Sequence, residues 1–157
     1  MPIEETLGAM DTLVQEGKVC QLGVGNMNIE QLKEACQYSD HIVSVQQEYN
    51  LFERSIESEI HPFCMQHQVN IIAYSPLLQG RIVNGQEQRA WLADRAASCG
   101  VTPGQLALRW LIAQTGVLPI PNTTRLSRLI ENIEAGDKEI PEPLIQEMSE
   151  RCQTPIC

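Results

Sequence analysis

Apolar positions Ile3, Leu7, Met10 and Leu13 recur at three- and four-residue steps, so residues 3–16 are predicted to form a helix with one buried face, ended by Gly17. Val19–Val24 then reads as a short strand, and Asn28 with Gln31 three residues on has the form of a capping box opening a helix over Ile29–Ser39. A second strand is expected at His41–Gln46, followed by the polar loop QEYNLFER and a helical stretch from Ser55 to His67 whose first turns Pro62 should kink or break. Asn70–Tyr74 reads as a third strand ending at Ser75-Pro76, with a Gly-, Asn- and Gln-rich loop to about Gln86. Two helices follow. One spans about Glu87–Cys99 and stops at Gly100; the next has Thr102 as its cap, Pro103 at its first position and Gln105 three residues after the cap. Val117–Ile120 is a fourth strand, succeeded by the loop PNTT, a helix over Leu126–Ala135 ended by Gly136, and a last helix after Pro141–Pro143.

Strands that alternate with helices must pair in parallel through crossovers, which makes this an α/β chain. Four parallel strands leave two open edges, and an edge with unpaired N–H and C=O groups invites a partner. The pattern also begins with a crossover helix that lacks a preceding strand. The organisation therefore suggests a piece of a larger fold, or a protomer completed by association.

At 157 residues the chain is expected to form one domain, 1–157. Aromatic residues are only 4% of it, so the core must rest on aliphatic side chains. The net charge of −9 opposes the basic footprint that nucleic-acid binding requires, and no nucleic-acid partner is expected. A single nucleotide is not excluded, because one local Arg or a helix N-terminus can hold a phosphate whatever the overall charge. The six cysteines form no CxxC pair and the first residues lack the pattern of a signal peptide, so free thiols in a cytoplasmic protein are expected. His41, His61 and His67 have no ligand spacing, and no metal site is assigned. No apolar stretch approaches the roughly 20 residues that span a bilayer, so no membrane association is expected.

Five segments, GKVCQLGVGN at 17–26, SVQQEYNLFER at 44–54, IIAYSPLLQG at 71–80, TPGQLALRWLIAQTGVLPIPNTT at 102–124 and RLSRLIENIEA at 125–135, together resemble the aldo-keto reductase superfamily. The resemblance runs almost end to end. It implies a TIM-type (βα)8 barrel that reduces carbonyls with NADP(H). In order and spacing the segments look like the C-terminal half of that barrel, strands five to eight with the preceding helix, so the expected fold is parallel βα units forming half of the barrel. The family's catalytic Asp, Tyr, Lys and His come from the N-terminal half, which is expected to be absent here. The tyrosines are Tyr38, Tyr49 and Tyr74 and the lysines Lys18, Lys33 and Lys138, and each already has a place in the C-terminal pattern. No residue is assigned a catalytic role, and the chain by itself is expected to be inactive.

The resemblance implies that cofactor binding is retained. Tyr74 matches the aromatic that stacks on the nicotinamide, and Asn26 and Gln46 match side chains that hydrogen-bond its carboxamide, with Gly25 standing where the family commonly has Ser. Ser75 and Leu77 lie where the family's loop touches the pyrophosphate. Asn122, Thr123 and Thr124 precede a helix N-terminus, where free N–H groups favour a phosphate. Asn122 departs from the Gly or Lys common at that point. Arg128 matches the residue that pairs with the 2′-phosphate and selects NADP over NAD, while Glu131 and Asn132 match contacts to adenine; Arg suits the task because its planar fork meets a phosphate bidentately.

Plainer readings stand beside these. Tyr74-Ser75-Pro76 also fits a simple strand end and turn, Arg125 and Arg128 fit solvated helix charges, and Asn122–Thr124 fit capping chemistry. Gly23-x-Gly25 imitates the start of a dinucleotide fingerprint, but Asn28 stands where that motif needs Gly. Trp91 and Trp110 are expected in the core or an interface, and Glu48 and Glu53 form no acid–base pair. Three functions remain open: a reductase-derived half barrel holding the cofactor half-site; a subunit or scaffold completed by a complementary N-terminal half barrel or by a second copy in a homodimer; and a ligand-free remnant. Strands HIVSVQ, NIIAY and VLPI are expected to expose apolar surface in an isolated half barrel, favouring a two-fold dimer.

Overall fold

The computed structural model describes residues 2–81 and 87–152. Residues 82–86, which complete the predicted Gly-, Asn- and Gln-rich loop, and Cys157 lie outside the described residues. The elements are α1 (Ile3–Gln15), β1 (Leu22–Gly25), α2 (Ile29–Tyr38), β2 (Ile42–Glu48), a 3₁₀ turn (Ser55–Ser58), α3 (Ile60–His67), β3 (Asn70–Tyr74), α4 (Glu87–Ser98), α5 (Pro103–Ile112), β4 (Val117–Pro119), α6 (Leu126–Glu134) and α7 (Glu142–Arg151). The chain divides into two compact units. The first holds the residues up to Gln47 together with Ile56–Ile72; the second holds Glu48–Ser55 and the residues from Ala73 on.

In the first unit β1 pairs in parallel with β2, with Gly23 opposite Ser44, Val24 opposite Val45 and Gly25 opposite Gln46. A Cβ on Gly23 would stand 2.6 Å from Ser44 Oγ, so the strands approach here only because position 23 has no side chain. Leu7, Leu22, Ala35 and Ile42 form the core, with Ile3, Met10 and Val14 of α1 packed against it. Gly17 adopts φ +71° and ends α1 as predicted. The expected strand from Val19 begins later, at Leu22, because the N–H groups of Lys18 and Val19 turn back to the Leu13 carbonyl at 3.0 and 3.3 Å and close the helix instead. The box at α2 forms as read: Gln31 N–H donates to Asn28 Oδ1 at 2.8 Å, and Asn28 N–H donates to Gln31 Oε1 at 3.0 Å. Pro62 breaks the 55–67 stretch into the 3₁₀ turn and α3. It falls in the first turn of α3, where its missing N–H has no intrahelical acceptor to lose.

The second unit is built around α5. Gly104 through Leu108, Trp110 and Leu111 are all buried, so this helix is apolar around most of its circumference and packs against α4, β4 and α6. Trp110 is fully buried. Its indole N–H donates to Ser149 Oγ at 2.8 Å, Tyr49 meets it edge-on at 5.5 Å, and the Arg54 guanidinium lies 5.0 Å from the ring. Trp91 is half-buried, with the guanidinium groups of Arg95 and Arg151 at 5.7 and 5.1 Å from its ring. The Ile120 N–H donates to the Ala73 carbonyl at 3.0 Å, tying the end of β4 to β3. Gly136 does not end α6 as expected; it sits inside a 3₁₀ turn, Ala135–Asp137, and its carbonyl accepts from Arg109 Nη1 at 3.3 Å.

The apolar residues Ile42, Val45, Ile71 and Ala73 of β2 and β3 are buried, against the expectation that these strands expose their surface. The expectation holds for VLPI, where Leu118 and Ile120 are exposed, and apolar exposure extends to α6, which buries no residue at all. Cys20, Cys36, Cys64, Cys99 and Cys152 are free thiols. Among the described residues no cluster of His, Cys, Asp or Glu could hold a metal, and no helix is long and apolar enough to cross a membrane.

Two stability predictions follow from this packing. Trp110→Ala removes a buried ring and the indole donor to Ser149 Oγ, and should cost about 3–5 kcal/mol in urea unfolding, with Trp110→Phe, which loses the donor but keeps an aromatic ring, costing clearly less; equal losses would refute ring packing as the larger contribution. Burial pushes the Cys64 thiol up to about 12, and the Cys152 thiol up to about 11 against the pull of Arg54 and Arg151. The folded state therefore holds these protons more tightly than the unfolded chain, so stability is full below the ordinary thiol value of 9.0 and falls as pH rises toward 12. Urea midpoints measured across that range should decline, and Cys64→Ala should flatten the decline.

Candidate functional site

Immediately after β3 the backbone takes conformations that side chains resist. Ser75, Leu78 and Gln79 have φ of +49°, +49° and +54°, and such clusters of left-handed non-glycine residues persist only where surrounding contacts hold them. The holding contacts are visible. Asn50, fully buried, donates from Nδ2 to the Ser75 carbonyl at 3.2 Å, while its Oδ1 accepts from the N–H groups of Phe52 and Glu53 at 3.0 and 2.9 Å. The Ser75 carbonyl also accepts from Leu78 N–H at 2.9 Å, and the Leu77 carbonyl from Gly80 N–H at 2.9 Å. A tightly turned loop results.

The second wall comes from the segment after β4. Thr123 Oγ1 accepts from the Arg125 N–H at 3.1 Å, bending the chain into α6. Helices α2 and α5 are closed by side-chain boxes, whereas α6 starts at Arg125 with no side-chain cap and no acidic residue in its first turn. Its first N–H groups lack intrahelical acceptors and the positive end of its dipole is uncompensated by a carboxylate there. Arg128, half-exposed, meets Glu131 within the helix at 3.2 Å. Glu131 is mostly buried; its Oε1 also accepts the hydroxyl proton of Thr102, and its carbonyl accepts from Gln105 Nε2 at 3.2 Å.

Between these walls lies a cavity of about 490 Å³, lined by Ser75, Pro76, Leu77, Gln79, Gly80, Gly104, Ile120, Pro121, Asn122, Thr123, Arg125, Arg128, Glu131 and Asn132. All of these residues belong to the second unit. The volume is that of a small-ligand site. Two guanidinium groups and a helix N-terminus suit an anion, the Asn, Ser and Thr side chains suit a polar sugar or base edge, and Leu77, Ile120 and the prolines suit an apolar ring face. This donor set fits the phosphate-bearing adenosine end of a dinucleotide.

Of the residues expected from sequence, Ser75, Leu77, Asn122, Thr123, Arg128, Glu131 and Asn132 come together on this cavity. Thr124 is exposed beside it and Tyr74 is half-buried at the end of β3; neither lines it. Asn26 and Gln46 belong to the first unit, where they line a separate hollow of about 370 Å³ with Gly23, Val24, Gly25, Ser44 and Ile72. Asn26 is held at φ +53°, its N–H donating to the Gln46 carbonyl at 2.9 Å. Gly104, Gln79, Gly80, Ile120 and the prolines join the lining without a signal in the sequence, and Arg125, which by sequence alone fits a solvated charge equally well, joins them. The Thr-Pro-Gly start of α5 was legible as a cap but not as a wall, because only the packing of α5 on α6 brings Gly104 to within 3.5 Å, measured from an added Cβ, of Glu131 Oε1.

The sequence profile of the Aldo/keto reductase family matches residues 1–151. A protein named methylglyoxal reductase YeaE, from Escherichia coli strain K12, is 32% identical over 140 residues, covering 87% of this chain and 49% of its own. An aldo-keto reductase from Klebsiella pneumoniae, solved in complex with NADPH, superposes with a TM-score of 0.89 at 33% identity, over 99% of this chain and 56% of that one. The thermostable aldo-keto reductase Tm1743, solved with the inhibitor epalrestat, gives 0.88 at 33% identity, over 96% and 55%. The chain thus spans about half the length of the curated relatives it matches.

Proposed function

The chain belongs to the aldo/keto reductase family, and from that premise we propose that it supplies the NADP(H)-binding, C-terminal half of a (βα)8 carbonyl reductase. The observation that carries this reading is the convergence of Arg125, Arg128 and the uncapped start of α6 on one cavity with the strained Ser75–Gly80 loop. In it the cavity takes the adenosine end of the cofactor: Arg128 meets the 2′-phosphate, the Ser75–Leu77 turn faces the pyrophosphate, and Glu131 and Asn132 meet the adenine. NADPH, when bound, supplies a hydride to a carbonyl carbon. That reduction also needs a proton donor for the developing alkoxide. Tyr49 is fully buried against Trp110, Tyr38 stands exposed at the end of α2, and Lys18 is paired with Glu16 at 2.7 Å. These placements support the reading that the chain binds cofactor and does not reduce a carbonyl by itself.

A second reading, favoured by α6, concerns assembly. Leu126, Leu129, Ile130 and Ile133 fall at i, i+3, i+4 and i+7 on that helix and are 71%, 47%, 48% and 66% exposed. A stripe of this kind is the core-facing side of an ordinary amphipathic helix, and leaving it in water is unfavourable. It supports a face covered by a second copy of the chain or by a complementary N-terminal half barrel.

Calorimetric titration with NADPH tests the first reading: saturable binding is expected, weakened at least about tenfold by Arg128→Ala, since the loss removes charge-assisted hydrogen bonds. No saturable binding, or robust aldehyde reduction by the pure chain, would overturn it. For assembly, light scattering should give a dimer for the wild type and a monomer for Ile133→Glu. A monodisperse wild-type monomer that takes up no other half counts against the second reading.

A further inference from the structure

We propose that the Thr102 hydroxyl is a positioning residue for the anion site: it holds the Glu131 carboxylate so that Arg128 is free to exchange that carboxylate for a ligand phosphate. This rests on the cofactor reading above and goes beyond it in assigning selectivity to a residue that does not line the cavity.

Arg128 Nη1 lies 3.2 Å from Glu131 Oε2 and 3.4 Å from Oε1. A carboxylate so placed competes with a phosphate for the same guanidinium, and it repels the phosphate as well. For Arg128, already on the cavity wall, to pair with a phosphate there, Glu131 must keep a partner when the ion pair loosens. Glu131 is only 18% exposed, and a largely buried carboxylate left without donors is costly. Thr102 is that partner. Its Oγ1 accepts from the Gln105 N–H at 3.2 Å, which leaves its single proton directed at Glu131 Oε1. The hydroxyl is therefore fixed by the helix cap and cannot rotate away without giving up the cap. Gln105, 5% exposed, adds a second tie through the Glu131 carbonyl and holds α6 in register with α5.

The consequence is specific to ligand charge. Without the hydroxyl proton, Glu131 depends on Arg128 alone, the ion pair tightens, and a 2′-phosphate must displace a more strongly held carboxylate. A nucleotide with a 2′-hydroxyl makes no such demand.

The test uses the full chain, with adenosine 2′,5′-bisphosphate and adenosine 5′-monophosphate as calorimetric probes. Thr102→Val should lower the preference for the bisphosphate about tenfold, the scale of one hydrogen bond to a charged group. Thr102→Ser, which keeps both cap and donor, should restore it. Loss of the cap alone would weaken both probes equally and leave their ratio unmoved, and that result overturns the inference. Glu131→Gln provides a background in which no carboxylate holds Arg128: there Thr102→Val should leave the ratio unchanged, and an undiminished effect overturns the inference. If the wild type binds neither probe, the cofactor reading itself fails and this inference with it; wild-type preference unaltered in Thr102→Val removes this inference alone.

Discussion

Helix α5 is buried almost all round, and a helix in that position cannot leave the N–H groups of its first turn to water. Thr102 and Gln105 satisfy them reciprocally, each side chain accepting from the other's backbone N–H at 3.2 and 3.1 Å. Both side chains have capacity left over, and both spend it on α6: the hydroxyl on the Glu131 carboxylate, the amide on the Glu131 carbonyl. One capping requirement therefore fixes the helix that bears Arg125 and Arg128. Because α6 buries none of its residues, these ties count for more than they would on a helix anchored by an apolar face.

The same dependence explains the unusual character of α6. Its polar edge is committed to α5 and to the cavity, and its apolar stripe faces solvent. An isolated helix of nine residues is too short to persist in water on propensity alone. It is held here by the Thr102 and Gln105 contacts, by the 3₁₀ turn that follows it, and by the Arg109 bond to Gly136. A cover on the stripe would add the hydrophobic term that α6 lacks. The proposed assembly and the proposed cofactor site are coupled through this helix: whatever covers Leu126 and Ile133 also steadies the backbone that presents Arg128.

Local chemistry was legible in the sequence, and long-range consequence was not. The two capping boxes, the Gly17 and Gly100 stops and the break at Pro62 depend on neighbours within a few residues, and each could be read directly. The start of β1 could not, since it depends on whether the N–H groups of Lys18 and Val19 return to the helix. Gly136 looked like a stop because nothing in its vicinity reveals the Arg109 side chain 27 positions away. The site divides in the same way. Motif resemblance found the seven expected residues that line the cavity, while Gly104 and the strained Leu78 and Gln79 needed the packing of separate segments to become visible. Asn50 is the clearest case: its role in gripping Ser75 is invisible in the string QEYNLFER, where it reads as one more polar loop residue.

A net charge of −9, taken alone, disfavours an anionic ligand. The range of the field decides otherwise. At physiological ionic strength exposed charges are screened beyond about 8 Å, so the chain's total charge governs its dealings with a long polyanion far more than with one phosphate group. Among the described residues, the cavity's local inventory is two guanidinium groups and a helix N-terminus against the carboxylate of Glu131. In the proposed site, with that carboxylate held by Thr102, both arginines are available to one phosphate, which the screened charges elsewhere on the surface do not oppose. Attraction within one helical turn therefore outweighs a distant, screened repulsion, and the proposed site is compatible with the chain's acidity.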